Sequence, residues 1–170
     1  MLGCEAGPPS GPAPVAVRAP ELLAPPSPAW QERARAFVEV CEAALWGPVG
    51  ERALAWVRAR GLTEATIRAA GLGYNPADLW EAREAWGLLG EGKKVWVPRG
   101  VVIPWRIGAD LWRVNVRRPL TAEQVAQGVP KYMGPAGCAN GLYNADGLRP
   151  GRPVVIVEGE LDALTVGQAA

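Results

Sequence analysis

The sequence predicts an α+β fold: a small N-terminal helical unit, then a mixed or antiparallel sheet region, then one strand and helix of α/β type. Three observations predict it. Apolar residues recur at helical spacing between residues 29 and 89. From residue 94 the pattern changes to short β-branched runs, and LWRVNVRR (111–118) alternates with period two. Finally, VVIVEGELDAL (154–164) begins as a run apolar on both faces, as in a central strand covered on both sides, and passes into acids at the start of a helix.

Residues 1–28 hold eight of the 17 prolines. Such a segment cannot bury enough surface to offset the entropy of ordering it, so a disordered tail or linker is expected. Ser27-Pro28 has the chemistry of a helix start, with Ser as N-cap and Pro in the first turn. Trp30, Ala34, Phe37, Cys41 and Leu45 then form one stripe, which Gly47-Pro48 should end. A second helix is expected with Leu54 and Val57 on one face, Trp56 beside them and Gly61 as its stop. Thr63 should cap a third that stops at Gly71. Asn75-Pro76 is expected to open a fourth carrying Leu79, Trp80 and Trp86. Most tryptophans of this unit fall at core spacing and read as packing anchors rather than base-stacking platforms.

Strands are expected at VWVP and VVIPW, on either side of Arg99-Gly100. In the third, Trp112, Val114 and Val116 should share one face, and Arg113, Asn115 and Arg117 the other. Residues 119–152 read as irregular, being rich in Gly and Pro. Residues 153–158 should form the last strand and 160–169 a helix. The expected units are thus a tail (1–28), a helical unit (29–89), a basic strand-rich subdomain (93–152) and the start of an α/β domain (153–170).

Bulk charge is nearly neutral at +1, but its distribution is not. Residues 93–153 carry ten Lys/Arg against three Asp/Glu, whereas the last seventeen carry three acids and no base. A basic middle beside an acidic end suits polyphosphate or nucleic acid. The chain has no histidine, which excludes Cys/His zinc sites, Ser-His-Asp triads and Cys-His dyads within it. Three scattered cysteines, Cys4, Cys41 and Cys138, form no disulfide framework and suit a reducing cytoplasm. No apolar run approaches the ~20 residues of a membrane span. Met1-Leu2-Gly3-Cys4 lacks the basic and apolar residues that would precede a lipoprotein cleavage site, so no signal peptide is expected.

Glu158, Glu160 and Asp162 crowd three carboxylates into five positions. At the carboxyl end of a buried strand, where open α/β sheets bind ligands, Glu158 and Asp162 could share one crevice. Mg²⁺ takes hard oxygen ligands of this kind, together with phosphate oxygens. The same acids would equally stabilise the helix start through its dipole, with no ligand at all. Local sequence leaves both open, and assigns Glu160 to solvent. For the arginines, the plain alternative is a solvated sheet face.

With these residues in view, VVIVEGELDAL resembles the first Toprim motif, a hydrophobic strand followed by EG–x–x–DA. ARGLTEATIRAAGLGYNP, RGVVIPW, WRVNVRRP, KYMGPAG and GLYNADGL follow the order found in DnaG-type primases and their phage and plasmid relatives, so the likeness spans roughly residues 50–170. The resemblance implies Mg²⁺-dependent synthesis of short RNA primers on single-stranded DNA from nucleoside triphosphates, with a replicative helicase as a conceivable partner. By position Glu158 corresponds to the motif glutamate, a metal ligand or general acid/base, and Asp162 to the motif aspartate, a second ligand. Lys131 and Tyr132 correspond to a Lys-Tyr pair near the incoming nucleotide. Arg113, Arg117 and Arg118 fall where the family faces template or triphosphate. Two departures are clear: the family's zinc-binding N-terminal domain is absent, and the later Toprim strand with Asp-x-Asp does not occur in these 170 residues. A chain truncated within Toprim, with weak Mg²⁺ affinity and no primer synthesis alone, is therefore expected. A non-catalytic nucleic-acid-binding module, or a Toprim nuclease or topoisomerase, are the alternatives.

Overall fold

The computed structural model describes residues 23–169. The tail expected over 1–28 lies, up to residue 22, outside the described residues, as does Cys4. The architecture is α+β, with antiparallel sheets.

Helix α1 spans Pro28–Trp46, and the Ser27 hydroxyl accepts from the Trp30 backbone N–H at 3.3 Å. Its expected stripe is buried, with Val38 added. After a 3-10 turn at Pro48–Gly50, helix α2 spans Glu51–Arg58 and turns Leu54 and Val57 inward. Helix α3 spans Glu64–Ala69, with the Thr63 hydroxyl accepting from the Thr66 N–H at 3.2 Å. Gly61 and Gly71, the expected stops, take left-handed φ of 85° and 61°, which glycine adopts without steric cost.

The expected fourth helix does not form. The chain instead makes strand β1 (Gly73–Asn75), strand β2 (Leu79–Glu81) and a 3-10 turn at Arg83–Trp86. The reason is tertiary. Asn75 is buried, and its side-chain amide donates to the carbonyls of Val97 at 3.3 Å and Pro98 at 2.9 Å, so it is held by residues more than twenty positions away instead of capping a helix.

Strand β3 is Val95–Val97, β4 Gly100–Ile107 and β5 Asp110–Arg117; a short helix α4 covers Ala122–Ala126 and strand β6 is Tyr132–Met133. The main sheet has the order β1-β4-β5-β6, antiparallel throughout, and β2 pairs with β3 as a separate ribbon. One face of the main sheet buries Val102, Leu111, Val114 and Val116 against α1, with Val95, Val97 and Trp86 in the same cluster. The other face packs Val101 and Ile103 against Leu54, Val57 and Ile67 of α2 and α3. The alternation in β5 holds from Arg113 onward. It breaks at Trp112, because the β4–β5 register shifts between Trp105 and Arg106, and Leu111 takes the buried place that regular alternation would have given Trp112.

Residues 153–158 form no strand. Val154, Val155 and Ile156 are exposed, Ile156 at 91%. An apolar run becomes a strand only where a neighbour completes its hydrogen-bond ladder, and among the described residues none does. Helix α5 (Glu160–Ala169) does follow, as expected. It docks through buried Leu161 and through Gln168, whose Oε1 accepts from the Thr63 N–H at 3.1 Å.

Candidate nucleic-acid interface

The face of the sheet turned toward α2 carries Arg113, Asn115 and Arg117 on β5. Val101, Arg117 and Tyr132 lie side by side across β4, β5 and β6. The Arg117 guanidinium sits 5.3 Å from the Tyr132 ring centroid and 5.8 Å from that of Trp56. One of its nitrogens donates to the Arg118 carbonyl at 2.9 Å. Flat aromatic partners on an arginine hold its orientation without consuming its charge.

Beside this row a cleft of about 370 Å³ opens between α2 and the adjoining ends of β4 and β5. Arg52, Arg99, Arg117 and Arg118 line it, with Trp56 and Tyr74, and no acidic residue does. Among the described residues none of these four arginines makes an ion pair; the pairs present are Arg33–Glu81, Arg58–Glu64 and Arg106–Glu42. Four uncompensated cations around one concavity concentrate anions there, and each guanidinium can grip a phosphate with two N–H groups. The sequence pointed to Arg117 and Arg118 but missed Arg52 and Arg99. Both come from elements whose own pattern gives no hint: a helix surface position, and a turn residue before β4.

The remaining candidates divide. Arg113 shares the face but is occupied elsewhere, donating to Asn115 Oδ1 at 3.1 Å and Asn140 Oδ1 at 2.7 Å. Lys131 is exposed on β6's approach, and its carbonyl accepts from the Arg118 N–H at 2.9 Å. Tyr132 is half-buried, and its phenol pKa is raised, first by burial and then by the Glu160 charge, with Asp162 adding and Arg117 and Arg60 opposing. Tyr132 therefore stays a neutral phenol at ordinary pH.

The acids are arranged differently from the sequence expectation. Glu160, assigned to solvent, is buried. Its Oε1 accepts from Trp105 Nε1 at 3.1 Å and from the Asn115 side-chain amide, which pins the start of α5 onto β4 and β5. Glu158 and Asp162 are exposed at the N-terminal end of α5, and the Asp162 carboxylate lies over Gly159, where a Cβ would sit 3.2 Å from Oδ2. Among the described residues no three acidic or thiol side chains are grouped as a ready-made metal cage. Two exposed carboxylates suit an ion that keeps much of its water and takes further oxygens from phosphate, as Mg²⁺ does. Glu160 is instead tied through Oε1 to Trp105 and Asn115.

Among the described residues no helix is long and apolar enough to cross a membrane. Comparison with protein-family models, with curated proteins and with solved structures returns no match.

Proposed function

We propose that the chain is part of a Toprim-type primase, whose parent activity is Mg²⁺-dependent synthesis of short RNA primers on single-stranded DNA. The cleft of four unpaired arginines carries the reading: it is the feature a polyphosphate or nucleic-acid backbone requires, and Tyr74, Arg99, Arg117 and Arg118 bring three of the primase-like segments to its lining. In this scheme Arg52, Arg99, Arg117 and Arg118 hold phosphates, Lys131 and Tyr132 flank the incoming nucleotide, and Glu158 and Asp162 are the Mg²⁺ ligands. Mg²⁺ would neutralise charge on the transferring phosphates. Arg113, tied to Asn115 and Asn140, acts by holding Asn115 against Glu160.

A second reading, a nucleic-acid-binding module without catalysis, is favoured by one observation. The segment leading to Glu158 is exposed and unladdered, so its carboxylate is not held rigidly. Two measurements on the 170-residue protein separate the readings. Single-stranded DNA binding across a salt series should fall with a log–log slope of about −3 for four phosphate contacts. Nucleoside triphosphate binding should strengthen with Mg²⁺ under the primase reading, and Glu158→Gln or Asp162→Asn should remove that gain. Under the binding-module reading Mg²⁺ gives no gain and neither substitution changes DNA affinity. Absence of all polyanion binding refutes both.

A further inference from the structure

The β2–β3 ribbon has two unlike faces. Leu79 and Val97 pair across it and pack inward, as does Val95, while Glu81 is held by Arg33 and Trp86. Trp80 and Trp96, directly opposite each other, occupy the other face. Their rings stack with centroids 5.7 Å apart and planes within 22°. Trp80 is 58% exposed, unlike Trp30 and Trp86, which are fully buried. A cross-strand tryptophan pair can stabilise a short ribbon by itself. That role leaves unexplained what this pair is joined to.

Two links tie it to the arginine cleft. Arg118, which lines the cleft, places its guanidinium 5.3 Å from the Trp96 ring centroid. Asp78 accepts from Trp96 Nε1 at 3.0 Å through one oxygen and from the Arg99 backbone N–H at 2.8 Å through the other. Arg99 also lines the cleft. A rigid, outward aromatic surface thus adjoins a set of unpaired cations. Both halves of a nucleotide are matched, a flat apolar base and an anionic backbone.

We propose that Trp80, backed by Trp96, is a stacking platform for an unpaired base of a single strand whose phosphates lie in the arginine cleft. The proposal rests on the reading of the cleft as a nucleic-acid backbone site. Stacking accepts any base, so the platform confers a preference for single-stranded over paired nucleic acid rather than for a sequence.

The test compares two probes of equal length and equal phosphate charge, an oligothymidylate and its abasic counterpart, by fluorescence anisotropy. The wild-type chain should bind the oligothymidylate roughly fivefold tighter or more. Trp80→Leu should abolish that preference and leave abasic binding unchanged; Trp80→Phe, which keeps a ring, should retain part of it. Unchanged abasic binding also certifies that the variant is folded. Equal wild-type affinity for the two probes overturns the platform while leaving the cleft intact. A preference that survives Trp80→Leu, or equal weakening of both probes, also overturns it. Binding of neither probe overturns the cleft and the platform together.

Discussion

Replacing Glu160 separates its role as an acceptor from its role as a charge. A single oxygen, Oε1, accepts from both Trp105 Nε1 and the Asn115 amide, 55 and 45 positions away in the chain. Glu160→Gln can keep a carbonyl oxygen at that position while it removes the charge and puts an NH2 group in place of Oε2. Glu160→Ala removes the acceptor and strands both donors. Bonds to a charged acceptor contribute about 1.5–3 kcal/mol each, which sets a ceiling of roughly 3–6 kcal/mol for the alanine variant. Trp105 and Asn115 are only half-buried, so water recovers part of the loss, and about 2–4 kcal/mol is expected. Glu160→Gln replaces two charge-assisted bonds by neutral ones of about 0.5–1.5 kcal/mol each and should cost about 1–2 kcal/mol after the same recovery by water. Urea unfolding followed by tryptophan fluorescence resolves the two, since at ordinary urea sensitivity the alanine variant's midpoint should drop by roughly 1–2 M. Glu160→Gln should also lower the phenol pKa values of Tyr132 and Tyr143, because the Glu160 charge helps to raise both. Two silent substitutions would mean that Glu160 is a solvated first-turn acid after all; two equally damaging ones would mean that charge, not the shared oxygen, holds α5.

Burial pushes the Cys41 thiol up to about 12, with Glu42 adding and Arg33 opposing, and pushes the Tyr143 phenol up to about 12, with Glu160 adding and Arg106 opposing. The unfolded chain ionises both earlier and the folded chain keeps their protons, so stability is fully present at neutral pH and falls as pH rises from about 9 to 12. Thermal unfolding should show that fall, and Cys41→Ala should make it shallower; an unchanged slope would refute the assignment. A Cβ on Gly73 would lie 2.7 Å from the backbone carbon of Cys41, so Gly73→Ala should cost about 1–3 kcal/mol by forcing α1 away from β1, read as a lowered Tm. Arg117→Ala should reduce the salt dependence of single-stranded DNA binding by about one phosphate contact, whereas Arg113→Ala, outside the cleft, should leave the slope unchanged.

What could be read from the sequence was whatever neighbours in the chain decide. Ser27, Pro28 and the stripe from Trp30 to Leu45 specify α1 locally, and Thr63 with Gly71 does the same for α3. The strands β4 and β5 showed themselves through β-branched runs and alternation. Asn75 was misread because its partners, the carbonyls of Val97 and Pro98, are remote. Glu160 was misread for the same reason: acids at a helix start are ordinary, and nothing nearby reveals Trp105 above it. Val154–Ile156 had the composition of a strand, but composition supplies no partner. The arginine cleft was half legible. Two of its residues lie in a conspicuous basic run, while Arg52 and Arg99 reach it only through folding.

The irregularity at Trp112 gives β5 an uneven tolerance to length. Because one surplus residue sits there, the tip of the β4–β5 hairpin curls onto α1, where the Leu111 N–H donates to Gln31 Oε1 at 3.1 Å and Arg35 donates to the Ala109 carbonyl at 3.0 Å. Losing that one residue would restore an even ladder and keep every remaining side chain on its present side. Losing one anywhere from Val114 to Val116 would invert part of the strand, exchanging the arginine side for the helix-packed side. In a lineage descended from this chain, single-codon gaps in β5 should therefore collect at one position, and the spacing between Arg113 and Arg117 should stay fixed.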